Sequence, residues 1–398
     1  MSSSVYVVGV GMTPFRSPRT SPNYLELGAA AVRAALADAD LGYDKVEQVF
    51  AAHVYGDSCS GHRVAYEVGL TGIPIFNVNS NCSSGASALY LARQAVASGA
   101  NEVALAVGFE QMPSGALVEY WKDRPSPLER FVQVADRRVS DTASPLAPKL
   151  FGAAGIEYCE RYGVDSDMFA AITVKSRRHA AQNSRAIFRE PLSAEDVLAS
   201  PMICDPLTRS QCCAPTCGAA AVVLVSEAMM RRLGARRAIR ICGQGLTTDQ
   251  PSSFAGSALD AVGYELGRAA AKRAFEEAGV DPFAVDLAEL HDCFTVNEVI
   301  SYEAMGLCKP GEAAEFIARG DNTYGGRCVT NPSGGLLSKG HPLGATGLAQ
   351  CFETVSQLRG EAGERQVANA RIGATHNIGI GSSCVVTVYE RARIAAAS

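Results

Sequence analysis

No stretch of this sequence stays apolar for the roughly 18 residues a membrane span needs, so no transmembrane helix is expected. Basic charge is also scarce. The 36 Lys and Arg stand against 41 Asp and Glu, and the net charge of −5 leaves no footprint for nucleic acid. Met1–Ala30 has no basic start followed by a hydrophobic core, so secretion is not expected, and Ala396-Ala397-Ser398 is not a Ser-Lys-Leu peroxisomal address. There is no Cys-x-x-Cys pair. Cys212, Cys213 and Cys217 have no histidine nearby, so packing in a thiol-rich core is preferred over zinc, and no metal is expected. Gly9-Val10-Gly11 follows a strand, but Pro14 stands where a dinucleotide fingerprint needs its third glycine.

What is present is a packed globular chain. Hydrophobic residues make up 47% and charged residues 19% of 398, enough for two or more core-forming domains. Thirteen cysteines without a secretory leader point to free thiols in a reducing compartment, and the cytoplasm is the expected location.

One thiol stands out. Gly72–Val78 reads as a short buried strand, and beyond Cys82 the residues Ala86, Leu89, Ala92, Arg93 and Val96 recur at helical spacing. Cys82 therefore falls on a strand-to-helix turn rich in small residues, where backbone can approach a ligand closely. A thiol at a helix N-terminus faces free N–H groups and the positive dipole end, both of which favour thiolate. A buried cysteine is also commonly an inert small hydrophobe, so the rest of the chain must decide.

The chain carries signs of a duplication. Val5–Val10 reads as a strand, Tyr24–Asp40 as an alanine-rich helix and Val46–Ala52 as a strand. Leu27–Arg33 then corresponds to Leu266–Lys272, and Val46 matches Val285 in register. Cys82–Leu89 aligns without gaps on His341–Leu348, with Gly, Ala, a β-hydroxyl residue and Leu coinciding. Two alanine-rich helices can align by chance; if the copies are real and pack about a pseudo-dyad, the helix starts at Cys82 and His341 converge. Between the copies, from about Ser114 to Cys213, prolines and clustered charges mark an insertion with helices at Phe151–Arg161 and Met168–Gln182, a common place for substrate-binding loops.

Three more stretches bear chemistry. Asp286–Leu290 is strand-like and delivers His291-Asp292-Cys293-Phe294, before a helix at Val296–Met305. Asn331–Gly335 leads to Lys339-Gly340-His341-Pro342, and Thr375-His376-Asn377-Ile378-Gly379-Ile380-Gly381 precedes a strand at Val385–Tyr389. Three of the six histidines lie in these turns, where open α/β sheets bind ligands.

These residues together resemble the thiolase superfamily, and most closely thiolases of the sterol carrier protein type. The resemblance runs over essentially the whole chain. It is most specific in Gly72 to Cys82, in His291–Phe294, which takes the place of the Asn-Glu-Ala-Phe of ordinary thiolases, and in Asp321 to Gly347. It implies an α/β fold with a duplicated five-layered αβαβα core and an inserted loop domain. On that reading, residues 1–113 begin the N-terminal half, 114–213 are the insertion, 214–238 complete that half and 239–398 form the C-terminal half.

The resemblance also implies a coenzyme A-dependent acyltransferase that cleaves 3-oxoacyl-CoA to acetyl- or propionyl-CoA and a shortened acyl-CoA. Cys82 would be the nucleophile, His341 its base, His291 an oxyanion-hole donor and Cys293 the second acid/base, a role suited to a thiol titrating near working pH. The backbone N–H groups of Cys82, Gly379 and Gly381 are candidates for the other oxyanion hole. Coenzyme A enters as substrate, with no permanently bound cofactor; the residues that hold it are not named by the sequence. A homodimer is implied, and a small partner protein is allowed. The expected class is an acetyl-CoA C-acyltransferase acting on fatty or steroid-derived chains.

The chain departs from the pattern in places. Ser382-Ser383-Cys384 follow Gly381 where glycines and alanine are usual, and Cys217 replaces an Asp before Gly218. The fused sterol carrier domain of some relatives is not found after Tyr389, so lipid transfer by this chain is not expected. The alternatives are a decarboxylating synthase, against which Cys293 speaks, a partner-dependent retro-aldolase, against which Cys82 speaks, and a lipid-CoA-binding protein.

Overall fold

The computed structural model describes residues 4–115, 121–139 and 144–392. Ala396-Ala397-Ser398 lie outside them. Among the described residues ten strands share one sheet: β1 (Val5–Met12), β2 (Gln48–Ala52), β3 (Ile75–Val78), β4 (Val103–Glu110), β5 (Gly218–Ser226), β6 (Ile239–Thr247), β7 (Leu287–Glu289), β8 (Val329–Thr330), β9 (Ile372–Ile378) and β10 (Cys384–Arg391). Seven helices matter below: α1 (Tyr24–Ala39), α2 (Ser84–Ala97), α3 (Leu146–Tyr162), α4 (Met168–Ala180), α5 (Tyr264–Ala278), α6 (Thr295–Ala304) and α7 (Thr346–Arg359).

The strand order reads the same from either end. The first five strands run β3-β2-β4-β5-β1 and the last five β8-β7-β9-β10-β6, so the duplication read from the sequence is present in the topology. Orientations repeat too. β2 is parallel to β3 and β4, and β5 is antiparallel to β4 and β1. β7 is parallel to β8 and β9, and β10 is antiparallel to β9 and β6. The halves join where Val5, Tyr6 and Val7 of β1 pair with Ile241, Arg240 and Ile239 of β6.

α2 and α7 touch each other and strands of both halves, while α1 packs on β1 and β5 and α5 on β6 and β10. The layers are therefore α1, the N-terminal half of the sheet, α2 with α7, the C-terminal half of the sheet, α5. With both faces covered, β1, β4 and β5 are buried along their whole length.

Close packing explains the Gly-x-Gly of β1. A side chain on Gly9 or Gly11 would strike the carbonyls of Ala35 and Ala31 in α1. Gly243 and Gly245 in β6 stand in the same way against Ala274 and Ala270 of α5. The motif is a strand–helix contact, repeated once per half.

The strand expected from Gly72 begins only at Ile75, because Gly72 takes a left-handed backbone (φ 77°) and Pro74 has no N–H to pair. α3 and α4 of the insertion pack on α6, and Phe151 stacks on Phe294 at 4.7 Å, so the insertion buttresses the His291–Phe294 turn. No helix among the described residues is long and apolar enough to cross a membrane.

Candidate active site

The starts of α2 and α7 meet because small residues let them. A methyl on Gly85 would lie 2.7 Å from the Gly344 carbonyl, and one on Gly347 would strike the Ala86 backbone. This crossing brings Cys82 and His341 together, and the turn after β7 adds His291. The Cys82 sulfur and one ring nitrogen from each histidine all lie within 4.8 Å of one another. The two imidazoles meet edge to face, with centroids 5.0 Å apart at 85°.

The Cys82 turn is held by hydroxyls. Ser83 Oγ donates to Ser80 O at 2.7 Å, and Ser84 Oγ donates to Asn81 O at 2.6 Å while accepting from Ser80 N at 2.8 Å. The serines that replace the usual small residues near the C-terminus join in: Ser382 Oγ donates to Ser80 O at 2.6 Å, and Ser383 Oγ lies 2.9 Å from Ser83 Oγ. They staple the last turn to the Cys82 loop.

The hydrogen bonds assign each histidine a tautomer. Thr346 Oγ1 donates its only proton to Pro342 O at 2.9 Å, so at 2.7 Å it must accept from His341 Nδ1–H. That leaves His341 Nε2 a bare lone pair; it is buried and has no partner among the described residues. His291 is the reverse. Asn377 Nδ2 donates to its Nδ1 at 2.8 Å, so the proton sits on Nε2 and points as a donor. Burial presses both rings to the neutral form, His341 to about 3, and His291 well below its ordinary value, with His341 and His376 adding to the effect.

Cys293 adjoins this group. Asn297 Nδ2 donates to His291 O and approaches Cys293 Sγ at 4.0 Å, and Cys213 N donates to Cys293 O at 2.9 Å. Asp292, between them, accepts from Leu336 N at 2.6 Å and Leu337 N at 3.3 Å. Two residues before each site histidine lies one member of a buried ion pair, Glu289 and Lys339, 3.2 Å apart and both bonded to Ser333 Oγ. Glu110, at the end of β4, accepts from Tyr55 N, Val54 N and Gly344 N at 2.9–3.0 Å; burial nevertheless raises it to about 7.

Family profiles agree with this architecture: "Thiolase, N-terminal domain" matches residues 5–228 and "Thiolase C-terminal domain-like" matches 253–391. Sterol carrier protein 2 of Bos taurus is 47% identical over 394 residues, covering 98% of this chain and 73% of that protein. The chain belongs to the thiolase family, on its sterol carrier protein branch. The benzoylsuccinyl-CoA thiolase subunit BbsB of Thauera aromatica is 34% identical over 98% of both chains. Among solved structures, an Ltp2-ChsH2(DUF35) aldolase superposes with a TM-score of 0.82 at 25% identity, covering 98% of each chain. The fold and family make this an acyltransferase of the thiolase class.

Several sequence expectations change in this member of the family. The thiolate favoured at a helix start is outweighed by burial, which, with the Glu110 charge, pushes the Cys82 thiol up to about 12. Cys293 likewise lies well above its ordinary value through burial, then through Cys213, Cys82 and Asp292, so it does not titrate near working pH in the resting site. Gly379 is no free oxyanion donor: its N–H bonds Ser383 O at 2.9 Å, closing its own turn. Gly381 faces Leu128 and Phe131 of the insertion. His376 is turned from the site towards Ser301 of α6, with 3.4 Å between Nδ1 and Oγ, and strand alternation delivers Asn377 instead. Cys213 is placed beside Cys293, whereas Cys217 receives the Met112 N–H at 3.2 Å.

Proposed function

We propose that the chain cleaves 3-oxoacyl-CoA thiolytically through an acyl-enzyme on Cys82. The observation that carries this reading is the pairing of opposite tautomers at one thiol, an acceptor on His341 and a donor on His291. Cys82 S–H passes its proton to His341 Nε2 as sulfur bonds to the 3-keto carbon, and His291 Nε2–H stabilises charge on an adjacent oxygen. One such donor is typically worth about 3 kcal/mol of barrier. The C2–C3 bond then breaks, and Cys293 S–H protonates the departing enolate of acetyl- or propionyl-CoA. In the second half Cys293 takes the proton of incoming CoA. The CoA sulfur attacks the thioester carbon, the bond to Cys82 sulfur breaks, and Cys82 leaves with the proton from His341.

Because thiol and imidazole are both neutral at rest, proton transfer accompanies attack and does not precede it. No bound cofactor takes part in these steps; coenzyme A is substrate. The exposed edge of β3, with Phe76 49% and nearby Leu70 80% exposed, supports assembly as a homodimer. Two relatives are named as members of assemblies, which supports testing for a partner protein as well.

The test is mass spectrometry after brief mixing with acetoacetyl-CoA or a long-chain 3-oxoacyl-CoA in the absence of free CoA. The expected result is an acyl adduct on Cys82 that disappears when CoA is added. No adduct from either substrate, with Cys82 still open to alkylation, would remove the proposal and favour a partner-dependent aldolase.

A further inference from the structure

The same three side chains form a second kind of site. Their donor atoms, a sulfur and two imidazole nitrogens, all lie within 4.8 Å of one another, near enough to be gathered on one ion by small side-chain rotations. His341 Nε2 is buried, aimed into the group and unpartnered. Each histidine has its outer nitrogen held by a second residue, His341 by Thr346 at 2.7 Å and His291 by Asn377 at 2.8 Å, the support that ligating histidines have. A thiolate with two imidazoles suits borderline-soft divalent ions and excludes calcium and magnesium.

We propose that Cys82, His291 and His341 bind one zinc ion. Cys82 S–H loses its proton to solvent as the Zn–S bond forms. The His291 proton moves from Nε2 to Nδ1, freeing Nε2 for the metal. Asn377 permits this move. Its Oδ1 has no partner among the described residues, so the amide can turn over and accept Nδ1–H without losing another bond. Asn377 is in this sense a two-position latch, with Nδ2 inward for the donor tautomer and Oδ1 inward for the ligand tautomer. The inference uses only these side chains and does not depend on the thiolytic reading.

The full chain is titrated anaerobically with Co2+ as spectroscopic probe, and with Zn2+ against a weak chelator. One ion per chain and a thiolate-to-cobalt charge-transfer band are expected. The band should vanish in the nearly isosteric Cys82→Ser and in wild-type protein alkylated at Cys82 beforehand, and should persist in Cys212→Ser. Asn377→Asp, an acceptor only, should bind zinc about 10–100-fold more tightly, and Asn377→Leu more weakly by a similar factor. Zinc binding should release one proton per ion, read as the dependence of binding heat on the buffer. A band that survives in Cys82→Ser, metal binding without a band, or no stoichiometric binding at millimolar zinc each overturns the proposal.

Discussion

Glu289 and Lys339 occupy matching places, each two residues ahead of a site histidine, and meet as a buried ion pair at 3.2 Å. Their contact joins the segments that lead to His291 and His341, and Ser333 Oγ bonds both. Lys339→Met leaves the Glu289 charge buried and alone, which should cost about 3–5 kcal/mol in urea unfolding. The double variant Glu289→Gln, Lys339→Met should recover much of that loss. Equal loss in the double and single variants would mean that the pair does not couple the turns.

Thr346 gives His341 its tautomer, so its removal should harm chemistry more than binding. Thr346→Val is expected to slow acylation of Cys82 about 100-fold or more with little change in KM, as a histidine freed to take the wrong tautomer loses its base. Thr346→Ser should restore most of the rate. Single-turnover acylation of the three proteins is the measurement, and a normal rate in the valine variant would refute the assignment.

The resting Cys82 is a thiol. With its value near 12, iodoacetamide alkylation at Cys82 should rise about tenfold per pH unit from about pH 6 to about pH 9. A plateau in that window would reveal a preformed thiolate–imidazolium pair. Peptide mapping of the alkylated protein separates Cys82 from the exposed Cys59.

Glu110 makes stability pH-dependent. Burial raises it from 4.5 to about 7, so in between the folded chain holds a proton that the unfolded chain has lost. Its contribution is therefore greatest below about pH 4.5 and declines as pH rises to about 7, by about 3 kcal/mol. The stability of wild type minus that of Glu110→Gln should fall across that window in paired urea titrations. A flat difference would place the titration elsewhere.

The scaffold was legible because it repeats. The small residues shared by Cys82–Leu89 and His341–Leu348 mark a helix crossing, and even Thr346 was visible as the hydroxyl matched to Ser87. What the sequence hid depends on strand phase and on depth. His376 drew attention as a histidine, yet one residue of strand phase turns it away and presents Asn377. Gly379 lost its donor to a turn whose closure no spacing announces. The Cys82 thiol depends on how much protein surrounds it, and Glu110 and Glu289 do their work by meeting residues far off in the chain.

The crossing of α2 and α7 also limits which substitutions the chain can take. Cys82 and His341 stand close only because Gly85 and Gly347 carry hydrogen where almost any other residue would carry carbon. A methyl gained in one copy could not be absorbed by adjusting the other, since both contacts are against backbone. The two tips can differ, a cysteine on one and a histidine on the other, while the crossing beneath them takes no added carbon at Gly85 or Gly347.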